Sequence, residues 1–221
     1  SLLHAPAQVE APTQLADLPD IAQRAIVVDT GRRTQLLRHL VTQEGWSHVL
    51  VFVATQLACE AVSDKLRKAG LAAEPLHGQL SQGKRTQVLA DFKAGRLQVV
   101  VATDLAARGI DIAQLPVVVN YDLPRSATDY THRIGRTGRA GESGLAVSFI
   151  PADSEAHFRL IEKRQGLSVT RERIAGFEPV ETATPVVAPV AQTNGGIKGQ
   201  RPSKKDKLRA AAVAAAANPK P

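Results

Sequence analysis

The stretch "HVLVFVAT", residues 48–55, places a short apolar run directly before a threonine that can begin a helix. We predict a buried strand over 48–53 and a helix over 55–69. Similar Val, Leu and Ile runs, separated by helical patterns, recur through the middle of the chain. Continuous apolar strands of this kind are typical of a parallel sheet that is covered on both faces. The sequence therefore predicts an α/β fold with a mostly parallel sheet between two layers of helices.

Strands are predicted at 25–29, 48–53, 72–77, 97–102, 116–122 and 144–150. Helices are predicted between them near 31–43, 55–69, 81–94, 126–136 and 153–165. Right-handed crossovers place such helices on both faces of the sheet, and ligands of these folds gather at the carboxyl ends of the strands. The residues that follow each strand are therefore the candidates for chemistry.

The 221 residues divide into three zones. Residues 1–22 are rich in Pro and Ala without a clear period, which indicates a linker. Residues 23–176 carry the strand and helix patterns and are predicted to form one folded domain. Residues 177–221 are rich in Pro, Ala and Lys and contain few large apolar residues. Such a segment buries too little surface to offset its ordering entropy, so we predict a disordered basic tail.

The overall charge of +7 and the pI of about 9.9 suggest a polyanionic partner. The single cysteine, Cys59, excludes an internal disulfide and a cysteine-based zinc site, and is predicted as a buried helix residue. No apolar run reaches the roughly 20 residues that span a bilayer, and no signal peptide opens the chain. We expect no membrane association and a cytoplasmic location. Because the chain contains no methionine, we also expect a piece of a longer protein.

The stretch "LHGQLSQGKR", residues 76–85, imitates a phosphate-binding loop for a nucleotide, because Gly83 and Lys84 complete the glycine and lysine spacing. Such a loop needs Ser or Thr next to hold Mg²⁺, and Arg85 stands there instead. Ser81 is the predicted N-cap, which places Gly83 and Lys84 inside a helix. A contact with a nucleic-acid backbone fits better. The residues available for it are Gly78, Gln82, Lys84 and Arg85.

Polar residues also follow the strands of "VFVAT" (51–55) and "VATDLAARGIDI" (101–112). Thr55 is either a helix cap or a phosphate ligand, and the two roles are compatible. Thr103 directly follows a strand, and Asp104 after it is a candidate cap for a short helix. Asp111 lies in a polar turn, where its carboxylate can accept hydrogen bonds from a sugar, as acidic residues do in other α/β folds.

In "THRIGRTGRAGESG", residues 131–144, a histidine and three arginines alternate with glycines. On a helix, His132, Arg136 and Arg139 share one face and Arg133 points elsewhere, although the glycines favour a break before Arg139. Arginine suits bidentate phosphate contacts, and glycine allows close approach of a ligand. The alternative is a solvated basic face. Arginines supplied to a phosphoryl-transfer site stabilise its transition state.

These stretches, with "FKAG", "VVNYDLP" and "DYTHRIGR", resemble in order and spacing the motifs of the second RecA-like domain of DEAD-box ATP-dependent RNA helicases. The resemblance covers about residues 24–165, and the bacterial RhlE-type subgroup is the most similar. It implies a RecA-like three-layer domain in an enzyme that hydrolyses ATP with Mg²⁺ and remodels RNA duplexes.

The resemblance also implies residue roles. RNA-backbone contacts fall on Thr55, Gly78, Gln82, Arg85 and Thr103. Asp111 is expected to hold the ATP ribose, and Arg136 and Arg139 are the expected arginine fingers for the γ-phosphate. His132 and Arg133 are expected to couple RNA binding to closure around the nucleotide.

The family's first RecA-like domain, with its magnesium-holding phosphate loop and acidic box, is absent from the sequence. Residues 1–22 are then the end of that domain and the linker after it. We expect the chain to work as the C-terminal half of a helicase, with RNA and the N-terminal RecA-like domain as partners, as a monomer, and to be inactive alone. Two alternatives remain: a DNA-directed helicase of the same superfamily, and a non-enzymatic RNA-binding or annealing module.

Overall fold

The computed structural model describes residues 21–108, 115–138 and 143–181. Its centre is a seven-stranded sheet in the order β3-β4-β2-β5-β6-β1-β7, in which every pairing is parallel. The strands are β1 (Ile21–Val27), β2 (Val49–Phe52), β3 (Ala73–Leu76), β4 (Val99–Ala102), β5 (Val117–Asn120), β6 (Gly144–Ile150) and β7 (Arg171–Glu172). The central strands β2, β4 and β5 are buried along their whole length, as their continuous apolar runs require.

Helices cover both faces of this sheet. One layer consists of α1 (Arg33–Gln43) and α2 (Gln56–Lys68), whose apolar residues pack on one face of the sheet. The other layer consists of α3 (Gln82–Lys93), α4 (Asp104–Ala107), α5 (Ala127–Ile134) and α6 (Glu155–Gln165). The predicted three-layer α/β fold is therefore confirmed.

The first strand and the last depart from the sequence prediction. β1 begins at Ile21 rather than at residue 25, because it pairs in register with the whole of β6 from Gly144 onward. β7 was not predicted, since its two residues carry no apolar pattern. An ion pair holds β7 in place: Glu172 accepts from the Arg24 guanidinium at 2.8 Å.

The chain remains packed past the predicted domain end at residue 176. The ring of Phe177 packs against the core cluster of α1 and α2. The buried carboxylate of Asp29, which follows β1, accepts hydrogen bonds from the backbone N–H groups of Val180 (2.9 Å) and Glu181 (2.8 Å). The folded part therefore reaches Glu181. The rest of the predicted tail, 182–221, and most of the predicted linker, 1–20, lie outside the described residues.

The prediction for Cys59 is confirmed. Its side chain is fully buried on α2, and the thiol donates to the carbonyl oxygen of Val101 at 2.7 Å. Burial raises the pKa of this thiol to about 12, which keeps it protonated and unreactive. In the part of the chain that the structure describes, no helix is long and apolar enough to cross a bilayer.

Candidate functional site

The carboxyl ends of three adjacent strands bring the predicted RNA contacts to one edge of the sheet. β4 lies between β2 and β3, and its last residue, Ala102, is in register with the last residues of both neighbours. The chain leaves these ends towards Thr55, Gly78 and Thr103. Parallel packing thus places residues from distant parts of the sequence on one surface.

Thr55 is exposed and caps α2, its hydroxyl oxygen accepting from the backbone N–H of Ala58 at 3.1 Å. The predicted cap is confirmed, and the hydroxyl can still donate its own hydrogen to a further acceptor. The turn before it is fixed from the neighbouring strand, because Asp122 accepts from the N–H of Ala54 at 2.8 Å. The other oxygen of Asp122 accepts from Arg33 at 2.6 Å. Asp122 therefore sets the position of Thr55, a role that the sequence did not reveal.

The loop that contains Gly78 is held by a buried histidine. His77 accepts from the N–H of Gln79 through Nδ1 at 3.3 Å, so a neutral ring carries its proton on Nε2 and donates to Glu60 at 2.7 Å. Gly78 is exposed, and the side-chain amide of Gln56 lies beside it. The loop thus presents backbone and amide groups next to the N-terminus of α2.

The structure excludes a nucleotide-binding phosphate loop at 76–85. α3 begins at Gln82 behind the predicted cap Ser81, so Gly83 and Lys84 lie within the helix. Lys84 pairs with Glu74 at 2.9 Å and is not directed to a ligand of its own. Gln82 is exposed in the first turn of α3, next to the loop of Gly78.

Arg85 and Thr103 both adjoin the short helix α4. The half-buried Arg85 donates to the carbonyl oxygen of Ala106 at 3.4 Å, which ties α3 to α4. Thr103 is the N-cap residue of α4, but its side chain makes no capping hydrogen bond. The cap predicted for Asp104 is wrong: Asp104 is the first residue of the helix, and its carboxylate is held by another partner.

That partner is Arg133, which is 3% exposed and forms a buried clamp between strands. Its Nε and Nη2 donate to the two carboxylate oxygens of Asp104 at 2.6 and 2.7 Å. Its Nη1 donates to the Asn120 side chain at 3.0 Å and to the carbonyl oxygen of Asp122 at 2.6 Å. The guanidinium also lies 4.9 Å from the ring centre of Phe52. Arg133 thus joins the ends of β2, β4 and β5.

Arg136 does not lie on a helix, which corrects the predicted helical face shared with His132. α5 ends at Ile134, and the next residues form a turn that pairs with the segment before β5. The carbonyl oxygen of Arg136 accepts from the N–H of Leu115 at 3.0 Å. The position of Arg136 is therefore set by its backbone rather than by helical spacing.

Two glycines of this stretch serve close packing of backbone, rather than the close approach of a ligand that the sequence suggests. Gly138 adopts φ 60°, in the left-handed region. A Cβ atom on Gly144 would clash with the backbone nitrogen of Gly138 and with the hydroxyl oxygen of Thr137. The absence of a side chain at Gly144 lets the turn after α5, residues 135–138, lie directly on the start of β6. We call residues 135–138, which include Arg136, the arginine turn.

Residues of α4, α5 and the arginine turn line a cleft of about 410 Å³. It extends from the carboxyl ends of β2 and β4, at Phe52 and Asp104, towards Arg136 in the turn beside the starts of β5 and β6. Its charged and titratable lining residues are Asp104, Arg108, Asp129, His132, Arg133 and Arg136. The Ser126 hydroxyl and the Arg108 guanidinium hold the pKa of the Asp129 carboxyl below its usual range. Cations outnumber carboxylates in this cleft, so it favours an anionic ligand.

The structure thus places Thr55, Gly78 and Thr103 at the carboxyl ends of neighbouring strands, and His132, Arg133 and Arg136 on the cleft beside α4. Asp111 and Arg139 lie outside the described residues. Among the residues described, no group of three or more His, Cys, Asp or Glu could hold a metal ion. Sequence reasoning missed Asp104, Asn120 and Asp122 as partners of Arg133. The one signal for these partners in the sequence was the pair Asn120 and Asp122, two polar residues at the end of the apolar run 116–122.

Comparison with known proteins identifies relatives of this architecture. Residues 32–141 match the family model of the helicase conserved C-terminal domain. ATP-dependent RNA helicase DBP2 of Candida glabrata is 42% identical over 158 residues, which are 70% of this chain and 29% of that protein. DEAD-box ATP-dependent RNA helicase CshA of Bacillus cereus is 37% identical, over 72% of this chain and 30% of that protein. The chain therefore spans about three-tenths of the length of these curated relatives.

Solved structures match the same region. A chain in the crystal structure of the Escherichia coli DEAD-box protein SrmB superposes with a TM-score of 0.70 and 36% identity, covering 74% of this chain and 97% of that one. The C-terminal domain of the DEAD-box protein Dbp5 gives a TM-score of 0.65 and 33% identity, covering 70% of this chain and 91% of that domain.

Proposed function

The chain belongs to the DEAD-box RNA helicases as their C-terminal RecA-like domain, and we propose that it acts as the second half of an ATP-dependent RNA helicase. The observation that carries the proposal is the arrangement at the carboxyl edge of the sheet. Exposed groups suited to phosphate follow β2, β3 and β4, and the arginine-lined cleft lies beside them.

RNA binds in this proposal through its backbone phosphates. The exposed N-terminus of α2 offers the Thr55 hydroxyl and unpaired backbone N–H groups, a favourable site for an anion. The Thr103 hydroxyl, with no capping bond to make, is available to a second phosphate. The loop of Gly78 and the nearby Gln82 and Arg85 extend the same contact. Such contacts carry little sequence information and weaken with salt.

ATP with Mg²⁺ is the proposed cofactor, shared with the N-terminal RecA-like domain. The cleft fits a phosphate group, because Arg108, His132 and Arg136 line it. The magnesium ligands and the phosphate loop belong to the other domain. ATP supplies the phosphoryl group that is transferred to water. Arg136 stabilises the charge on that group, while Arg139 and Asp111, placed from the motif alone, contact the γ-phosphate and the ribose.

Arg133 and His132 couple the two ligands in this account. The Arg133 clamp holds Asp104, which follows the RNA contact Thr103, and also the backbone of Asp122, which positions the turn of Thr55. A shift of the RNA loops is thereby transmitted to the turn that presents Arg136. His132 is exposed at the rim of the same cleft, where the other domain docks.

The RhlE-type subgroup stays a prediction from the motifs, since relatives from yeast and bacilli match the chain comparably. A monomeric state and a cytoplasmic location are part of the proposal.

Thr103→Val tests the RNA contact with little disturbance of the fold, because the lost hydroxyl makes no capping bond. We expect RNA affinity to fall about tenfold, the effect of one hydrogen bond to a charged group. The measurement is fluorescence anisotropy of a labelled single-stranded RNA with the purified chain. Thr170→Val, an exposed change next to β7 at the far edge of the sheet, is the matched control.

Equal affinity of wild type and Thr103→Val would exclude this RNA contact. The same titration with DNA of identical sequence separates the alternatives, because a helicase that acts on RNA requires 2′-hydroxyl groups. Equal binding of both nucleic acids would favour the DNA-directed alternative. RNA binding without any dependence of ATP hydrolysis on Arg136 would favour the non-enzymatic module.

A further inference from the structure

A second cleft, of about 450 Å³, lies between α1 and α2 on the face of the sheet opposite to α3 and α5. We call it the α1–α2 cleft. Its cationic or titratable lining residues are Arg32, Arg38, His39 and Lys65, and none of its lining residues is acidic. The site proposed above makes no use of this cleft.

Two of these cations have no counter-charge in the described residues. Arg38 and Lys65 are exposed, and neither forms an ion pair or a side-chain hydrogen bond within 21–108, 115–138 and 143–181. α1 contains no acidic residue at all. Some other exposed cations of the domain do have a carboxylate partner, as Arg159 has in Glu155 at 2.7 Å. The α1–α2 cleft therefore concentrates uncompensated positive charge.

The ring of Phe177 holds two of the lining side chains in place. The Arg32 guanidinium lies 5.0 Å from the ring centre and donates to the carbonyl oxygen of Gly176. The His39 ring packs against Phe177 at 5.2 Å between centroids. Side chains that are already ordered lose less entropy when a ligand binds. Because Arg32 and His39 occupy the surroundings of this ring, it is not a free platform for a stacked base.

We propose that the α1–α2 cleft binds backbone phosphates of RNA as a second contact, separate from the edge of the sheet. The inference that the ligand is RNA rests on the proposed function. The lining suits phosphate, since guanidinium groups bind phosphate oxygens in a bidentate manner and no carboxylate opposes them. RNA that is bound at the strand ends is thereby also held on the face of the sheet that α1 and α2 cover. Such a contact is independent of the RNA sequence.

The test is the salt dependence of RNA binding by the whole chain. The double variant Arg38→Gln/Lys65→Gln removes the two unpaired cations. The control Arg96→Gln/Arg159→Gln removes equal charge from two exposed, paired residues outside the cleft. Affinity for a labelled single-stranded RNA is measured by anisotropy at several salt concentrations. The slope of log affinity against log salt is negative, and the loss of two phosphate contacts makes it shallower by about 1.4.

We expect the cleft variant to bind RNA about fivefold more weakly at low salt, with a slope that is shallower by about 1.4 than that of wild type. We expect the control to keep the affinity and the slope of wild type. An unchanged slope and affinity in the cleft variant overturn the proposal. If tripolyphosphate or a poly-glutamate peptide binds wild type but not the cleft variant while RNA binding is unchanged, the cleft serves that anion and not RNA. If Thr103→Val weakens RNA binding but the cleft variant does not, only the second contact is rejected. If neither variant weakens RNA binding, the RNA function itself is rejected.

Discussion

Arg136→Ala is expected to lower RNA-stimulated ATP hydrolysis by about 10³-fold, in an enzyme assembled with the phosphate-loop domain. The side chain lines the cleft beside α4 and α5, where cations outnumber carboxylates. A fixed arginine at the γ-phosphate stabilises charge that develops in the transition state, which is why its removal acts mainly on kcat.

The fold should tolerate this change. Backbone hydrogen bonds fix the turn. The Leu115 N–H donates to the Arg136 carbonyl oxygen, and the Arg136 N–H donates to the Arg133 carbonyl oxygen. Steady-state ATPase assays with saturating RNA give kcat for Arg136→Ala and for the surface control Arg159→Ala. Hydrolysis by Arg136→Ala at a rate close to that of wild type would contradict the assignment.

Arg133→Ala is expected to lower the free energy of unfolding by about 3 kcal/mol, the lower end of the cost of breaking a buried ion pair. The change removes the bidentate partner of Asp104 and leaves the fully buried Asn120 without its guanidinium donor. Because the Asp104 side chain is 39% exposed, water can solvate part of the released charge and limit the loss.

Urea unfolding followed by circular dichroism measures this difference. Arg108→Ala is the matched control, since Arg108 pairs with Asp129 at 3.1 Å but is 65% exposed, and exposed pairs contribute at most about 1 kcal/mol. Arg133→Lys keeps a charge without the planar fork and should recover only part of the stability. Equal midpoints for Arg133→Ala and Arg108→Ala would show that the clamp does not stabilise the domain.

The sheet could be predicted because its central strands are nearly pure apolar runs, as in β2, β4 and β5. The rule that ligands gather at strand ends then predicted that Thr55, Gly78 and Thr103 share one edge of the sheet. β7 could not be found in this way, since two polar residues gain their place only by pairing with β1. The extent of the folded part was missed for the same reason, because Asp29 holds Val180 across 151 positions.

The position of Arg136 could not be predicted from the sequence, because helical periodicity continues a predicted helix until a residue clearly stops it. Here α5 ends at Ile134, the turn after it pairs with Leu115, and Thr137 lies against β6. The Arg133 clamp was missed because Asp104 lies 29 positions away and no local pattern joins them. Long-range polar contacts of this kind become visible only when strands from distant segments are assembled.

ATP hydrolysis by a mixture of this chain and the separate phosphate-loop domain, with and without RNA, tests the central claim most directly. We predict that neither half hydrolyses ATP alone, that the mixture does so when RNA is present, and that Arg136→Ala in this chain abolishes the gain. Turnover by this chain alone, or turnover of the mixture that is the same with wild type and Arg136→Ala, would contradict the account.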